Sequence, residues 1–327
     1  MRIGIVGAGA IGTWLAQRLA AGGHAVSVLA RGETLHALQR HGARVRTGEE
    51  IAAAPVTASD DAEALGPQEL LLVATKSQAL PDVAARTTAL VDADTIVVPA
   101  TNGVPWWFLT GAPGALDGAP LASVDPDGAS ARHWPLDQVC GSVVHASAWV
   151  VEPGLVHHVM GNGLIVGAVT DALAPRIGSV AEALAAGGFD VTQSADVRAD
   201  IWFKLWGNMT MNPMSAITGA TCDVLLDDAD ARAFATEIMN EAAAIGAAIG
   251  CPVDGDPEAR HDVTRELGAF KTSMLQDAEA GRPLELAALL FAPKEIAELA
   301  DIATPALDHL IGLVRVFERA RGFYPGA

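Results

Sequence analysis

The sequence predicts a doubly wound α/β domain followed by an all-α domain. Two observations carry the prediction. A strand, a glycine turn, a helix and a second strand follow one another within the first thirty residues, and strand patterning nearly vanishes after Asp196.

Arg2–Val6 is a short β-rich run and reads as the first strand; the glycine turn of residues 7–12 follows, then an amphipathic helical stretch over residues 13–21. Gly22-Gly23 ends that helix, and Ala25–Leu29 reads as the second strand. Apolar runs at residues 70–74 and 95–99 each end in a polar cluster, Thr75-Lys76-Ser77 and Thr101-Asn102-Gly103. Strands ending in polar loops suggest a parallel sheet whose ligands lie beyond its carboxyl ends. Residues 139–169 change to β-rich segments broken at Pro153-Gly154 and Gly161-Asn162-Gly163, an antiparallel meander expected to extend the sheet. A helix over 174–186 and a short strand near 189–192 complete the first domain, 1–193. Residues 194–327 are rich in Ala, Leu, Ile and Glu and are punctuated by Pro213, Pro252, Pro257, Pro283 and Pro305, an all-helical pattern. The active site is expected in the cleft between the two domains.

Half of the 327 residues are hydrophobic, enough for two ordinary cores. Charge is lopsided: 21 Lys and Arg against 39 Asp and Glu, a net −18. Both halves share the excess, with 10 basic and 18 acidic residues up to Thr192 and 11 and 21 beyond it. Nucleic acids and anionic membranes need a broad basic face, so neither is an expected partner. Charged residues interrupt the apolar stretches before membrane-spanning length, and the first fifteen residues lack a signal-peptide pattern, so a soluble cytoplasmic protein is expected. Cys140, Cys222 and Cys251 are widely spaced without a CxxC pair and read as core residues, not a disulfide framework or zinc knuckle.

Gly7-Ala8-Gly9-Ala10-Ile11-Gly12 matches G-x-G-x-x-G with both flanking elements in place. Gly7 makes the turn, Gly9 admits a pyrophosphate to the helix N-terminus, and Gly12 allows close helix–strand packing. A glycine-rich turn alone can be no more than a tight connection; with strand, turn, helix and second strand in order, the dinucleotide-binding unit of a Rossmann-type domain is the favoured reading. An acidic residue usually ends the second strand at an NAD site to bind the ribose 2′-hydroxyl; here Ala30-Arg31-Gly32 stands instead. The Arg31 guanidinium can bind a 2′-phosphate with paired, charge-assisted hydrogen bonds, which favours NADP(H). A surface arginine beside a permissive NAD site is the alternative, and nearby Glu33 leaves it open.

Only four basic residues are lysines: Lys76, Lys204, Lys271 and Lys294. Lys76 follows a strand and should point into the cofactor crevice, unless it is merely a loop charge. Lys204, Asn208 and Asn212 fall within about 80° of one another on a helix and are the polar members of a very apolar segment. Such a stripe can be a structural network between helices. A desolvated lysine, however, shifts its pKa readily and can donate a proton, which an arginine cannot.

The sequence resembles the ketopantoate reductases (2-dehydropantoate 2-reductases) at residues 7–12, Arg31, Thr75-Lys76, Asn102-Gly103, residues 202–213, Ser273-Met274-Leu275-Gln276-Asp277 and Arg282-Pro283-Leu284-Glu285. These occur in the family's order and spacing over nearly the whole chain. The resemblance implies NADPH-dependent reduction of a small 2-oxo acid to the 2-hydroxy acid. It makes Lys204 the catalytic lysine that polarises the ketone and protonates its oxygen, with Glu285 orienting the substrate hydroxyl and supporting the lysine. Lys76 and Asn102 would lie near nicotinamide and substrate, while Asn208, Asn212 and Ser273 would hold the substrate's carboxylate and hydroxyl end. The rival readings are the same chemistry on another 2-oxo acid or ketone, and a non-catalytic NADP-binding sensor.

After Glu285 the chain reads Leu286-Ala287-Ala288-Leu289-Leu290-Phe291, where the family more typically has Asp in place of Ala287 and Gly in place of Phe291. One charge is lost and one bulky side chain gained near the expected pocket wall. Trp106-Trp107-Phe108 suits a packed domain interface or an apolar pocket, the interface being favoured. No metal site is expected: His157-His158 lies in a β-rich segment, where neighbouring side chains point to opposite faces. The only tyrosine is Tyr324, so a Tyr-x-x-x-Lys mechanism is excluded. The acids of residues 223–230 should cap and precede a helix, and the apolar helical domain can supply a homodimer interface.

Overall fold

The computed structural model describes residues 1–323; Tyr324 lies outside them. The chain divides into one unit of Met1–Asn102 with Asp127–Asp200 and a second of Gly103–Pro126 with the chain from Ile201 onward. The first unit carries, in order, β1 (Arg2–Val6), α1 (Ala10–Ala21), β2 (Ala25–Leu29), α2 (Gly32–His41), β3 (Ala43–Thr47), β4 (Glu50–Ala54), β5 (Thr57–Ser59), α3 (Ala62–Leu65), β6 (Leu70–Val73), α4 (Leu80–Arg86), β7 (Ile96–Pro99), α5 (Ala129–His133), β8 (Cys140–Glu152), β9 (Leu155–Ala168), α6 (Ile177–Ala186) and β10 (Asp190–Gln193).

Five strands form a wholly parallel sheet in the order β5-β2-β1-β6-β7. The chain crosses from one side of β1 to the other, so the carboxyl end of β1 is a topological switch point, where this class of sheet binds ligands. The glycine turn occupies that point.

The hairpin of β8 and β9 does not extend this sheet, contrary to expectation. It belongs to a second five-stranded sheet, β10-β9-β3-β4 with β8 on β9, and a lone bridge between Val97 and Val139 is its ladder contact with the first. The recruiting element is β3, which pairs parallel with β9 and antiparallel with β4. Arg44 of β3 pins the hairpin turn by donating to the Pro153 carbonyl at 3.1 Å and pairing with Glu152 at 3.2 Å.

Helix α1 lies against strands of both sheets. Its Trp14 is fully buried, edge-on to Phe189 at 4.8 Å and stacked on His158 at 5.3 Å. His157 instead stacks on Trp149 at 4.4 Å, so the two histidines diverge as a two-residue strand period requires.

The second unit is helical: α7 (Val197–Thr218, whose first turn belongs to the first unit), α8 (Cys222–Asp227), α9 (Ala229–Ala248), α10 (Pro257–Arg265), α11 (Ser273–Glu279), a π-helix (Ala287–Phe291), α12 (Ala292–Leu299) and α13 (Pro305–Ala320). The segment 103–126 packs here as well, so this unit is not contiguous in the sequence. Phe108 is fully buried and stacks on Trp202 at 5.7 Å. The amides of Ala122 and Ser123 donate to the Glu295 carboxylate at 2.8 and 2.9 Å. Asp228 caps α9 by accepting from the Ala231 amide at 2.9 Å. All three cysteines are buried and none is in a disulfide, and burial pushes the Cys140 thiol up to about 12 and Cys222 to about 11. Among the described residues no helix is long and apolar enough to cross a membrane.

Trp14 is fully buried, packed between α1 and the second sheet. Trp14→Ala should cost ~3–5 kcal/mol of stability in equilibrium urea unfolding.

Candidate active site

The glycine turn has the geometry of a pyrophosphate cradle. Gly7 takes φ +93°, a left-handed conformation open to glycine, and a Cβ on Gly12 would stand 1.8 Å from the Gly7 carbonyl oxygen. Helix and turn are therefore in backbone contact. A Cβ on Gly9 would meet nothing within 4 Å, so the space in front of the α1 N-terminus is open. Gly9 is the N-cap without a side-chain cap bond, and the first turn of α1 holds no acidic residue. The leading amides and the positive end of the helix dipole suit an anion there.

Beside the turn, the Thr75 methyl would lie 2.7 Å from a Cβ on Gly7, and the Thr75 hydroxyl oxygen is buried without a hydrogen-bond partner. That orphaned group, at the carboxyl end of β6, fits a cofactor contact. Lys76 is exposed just after it, and Asn102 is half-buried beyond β7. Arg31 is exposed, in extended conformation as the N-cap of α2, with Glu33 in that helix's first turn. The residues chosen from the sequence for the cofactor thus stand at or just beyond the carboxyl ends of β1, β2, β6 and β7.

On the helical unit α7 is held by two indoles. Trp202 and Trp206, one turn apart and buried, donate to the carbonyls of Ala242 and Met239 on α9 at 3.1 and 2.8 Å. Gly246 of α9 makes room for this clamp, since a Cβ there would stand 2.4 Å from Trp202 Nε1. Lys204, two residues from each tryptophan, is rotated ~200° away from both and lies on the opposite side of the helix. Phe203, Gly207 and Asn208 share that more open side, whereas Asn212, two turns below the lysine, is buried.

Loss of water lowers the Lys204 pKa from 10.5 to about 8, and the Glu285 carboxylate opposes that shift. Glu285 is itself buried, two residues ahead of the π-helix. Ala287 and Phe291, the two departures from the family pattern, are the ends of that π-helix, a local widening that sequence periodicity does not reveal. Its backbone is closely approached: Gly103, at φ +83°, would set a Cβ 2.5 Å from the Ala288 carbonyl oxygen, which also accepts from the Val104 amide at 2.9 Å. The Phe291 ring carries the Arg315 guanidinium 5.2 Å from its centroid. Ser273 is exposed at the start of α11, where Thr272 provides the cap by accepting from the Leu275 amide at 3.1 Å.

A glycine turn shaped for a dinucleotide phosphate on one unit, and on the other a desolvated lysine coupled to a buried carboxylate, suit a nicotinamide-dependent oxidoreductase acting on a CH–OH group. The sequence profile of the family described as ketopantoate reductase PanE/ApbA matches residues 3–171, and that of its C-terminal domain matches residues 196–318. A 2-dehydropantoate 2-reductase of Mesorhizobium japonicum is 40% identical over 325 residues, covering 99% of this chain and 100% of that one. A crystal structure of a Ralstonia solanacearum protein, described as a candidate ketopantoate reductase, is 49% identical with a TM-score of 0.94 over 99% of each chain. D-mandelate dehydrogenase, solved with NADH and anilino(oxo)acetate, shares the fold at TM-score 0.85 and 20% identity over 98% of this chain and 100% of that one. The chain belongs to the ketopantoate reductase family.

Gly9 separates folding from cofactor binding, because a methyl there meets only open space. Gly9→Ala should leave the melting temperature unchanged and weaken nicotinamide-dinucleotide binding about tenfold or more in a fluorescence titration, since it fills the space a pyrophosphate needs.

Proposed function

We propose that this chain reduces 2-dehydropantoate to the 2-hydroxy acid with NADPH, Lys204 giving the proton. The observation that carries this reading is the lysine whose pKa burial brings to about 8 while a buried carboxylate holds the proton on. A general acid works best when its pKa lies near the operating pH. When bound, the reduced nicotinamide supplies the hydride. Lys204 hydrogen-bonds the ketone oxygen and transfers its proton as negative charge builds there, so its ammonium stabilises the transition state more than the ground state. Glu285 keeps Lys204 protonated at neutral pH and orients the substrate hydroxyl. Asn208, Asn212 and Ser273 hold the carboxylate and hydroxyl end. Lys76 and Asn102 position the nicotinamide side of the substrate, and Arg31 takes the 2′-phosphate that an acidic residue would repel.

A second reading, the same chemistry on another 2-oxo acid, is favoured by Ala287, which removes a carboxylate from the segment after Glu285. Steady-state reduction of 2-dehydropantoate against a panel of 2-oxo acids decides between them, and tight NADPH binding without turnover of any of them would leave only a sensor.

Two outcomes test the roles of the residues. For the reductive direction kcat should be level below pH 8 and fall about tenfold per unit above it, because the acid form of Lys204 is lost there. Glu285→Gln removes the charge that raises this pKa, so the falling limb should move to lower pH; Lys204→Ala should lower kcat by ~10²–10⁴ at pH 7. Arg31→Ala should raise KM for NADPH about tenfold or more and leave KM for NADH within about twofold, as expected for a lost charge-assisted pair.

A further inference from the structure

Among the described residues one cation of the helical unit has a place no sequence pattern marks. Arg260, on α10, lays its guanidinium against Gly207 of α7: a Cβ at 207 would stand 3.3 Å from both Nε and Nη2 and 3.6 Å from Cζ. Any larger residue at 207 would press on the guanidinium. Gly207 follows Lys204 by three residues and precedes Asn208, and residues three apart are surface neighbours on a helix, ~5–6 Å between their Cβ positions. Helix α10 is anchored by its next residue, since His261 is buried and bonded to Thr236 at 2.9 Å.

The guanidinium is also partly desolvated, with no carboxylate beside it among the described residues. Its Nε is buried with no hydrogen-bond partner, and burial alone lowers its pKa. Arg44, Arg232, Arg265 and Arg282 each pair with a carboxylate, but Arg260 has no such ion pair among the described residues, in a chain with 39 acids. Removing a cation from water with no counter-charge is unfavourable for the fold. An anion of the right shape would reverse that cost, and the planar fork of arginine matches a carboxylate bidentately.

We propose that Arg260 supplies the counter-charge for the substrate's carboxylate, with Gly207 kept small to let it lie beside Lys204 and Asn208. This rests on the reading that the ketone is a 2-oxo acid. Arg260 then fixes which end of the substrate faces Lys204, and it discriminates acids from their neutral derivatives.

The test compares the full-length wild type with Arg260→Met, Arg260→Lys and Gly207→Ala on 2-dehydropantoate and on its neutral lactone, and titrates the product 2-hydroxy acid calorimetrically. Arg260→Met should lower kcat/KM for the acid tenfold or more, leave the lactone within twofold, and weaken product binding about tenfold. Its melting temperature should hold or rise, because an unpaired, partly buried charge has been removed. Arg260→Lys should recover part of the acid preference, and Gly207→Ala should lower it with Arg260 still present. Equal losses on acid and lactone, a lower melting temperature with the same selectivity, or product binding unchanged by Arg260→Met would each overturn the proposal. Should the wild type reduce neither compound, the reductase reading fails separately, and the titration alone decides on Arg260: binding lost in Arg260→Met supports it, and no binding to the wild type overturns it.

Discussion

The rotation of one helix sets the environment of Lys204. Two indole N–H groups, from Trp202 and Trp206, reach carbonyls of α9 and fix which side of α7 faces the helical core. Lys204 is thereby carried to the opposite side, into a place that strips much of its water without burying it outright. A lysine free in water keeps its proton too tightly to act as an acid near neutrality; one desolvated with no carboxylate nearby would lose it. Glu285 supplies the balance. Lysine and carboxylate come from segments eighty residues apart in the sequence, so the packing that brings them together is as much part of the site as the two side chains.

Much of this was legible in the sequence because its signals are local. The first strand, turn, helix and second strand lie where the pattern places them, except that α1 begins at Ala10, inside the glycine motif. The lysine and asparagine stripe of α7 is likewise readable, since polar residues at helical spacing stand out in an apolar segment. The misses are non-local. The strands β3 and β4, Ala-Arg-Val-Arg-Thr and Glu-Ile-Ala-Ala-Ala, are short and weakly apolar, and only the pairing of β3 with β9, over a hundred residues later, turns the long hairpin into a second sheet, to which β4 is added through β3. Residues 103–126 join the helical unit through Phe108 and the amides of Ala122 and Ser123, contacts that no periodicity announces. Arg260 was missed for the same reason: its significance comes from Gly207, on another helix.

The strong negative charge of the chain sharpens the meaning of its few cations. Nothing in the overall field draws a phosphorylated cofactor or a carboxylate substrate to a protein of net charge −18, so attraction has to come from dipoles and cations at short range. The α1 N-terminus provides the first, free of acids in its first turn. In the proposed function Arg31, Lys76 and Lys204 provide the second.

Packing, not chemistry intrinsic to lysine, tunes Lys204. With only four lysines in the chain, isotope-labelled side chains can be followed individually by NMR through a pH titration, with Lys204→Arg assigning the signal. The Lys204 resonance should titrate with a midpoint of about 8 in the folded protein; a midpoint at the ordinary lysine value of 10.5 would contradict this tuning.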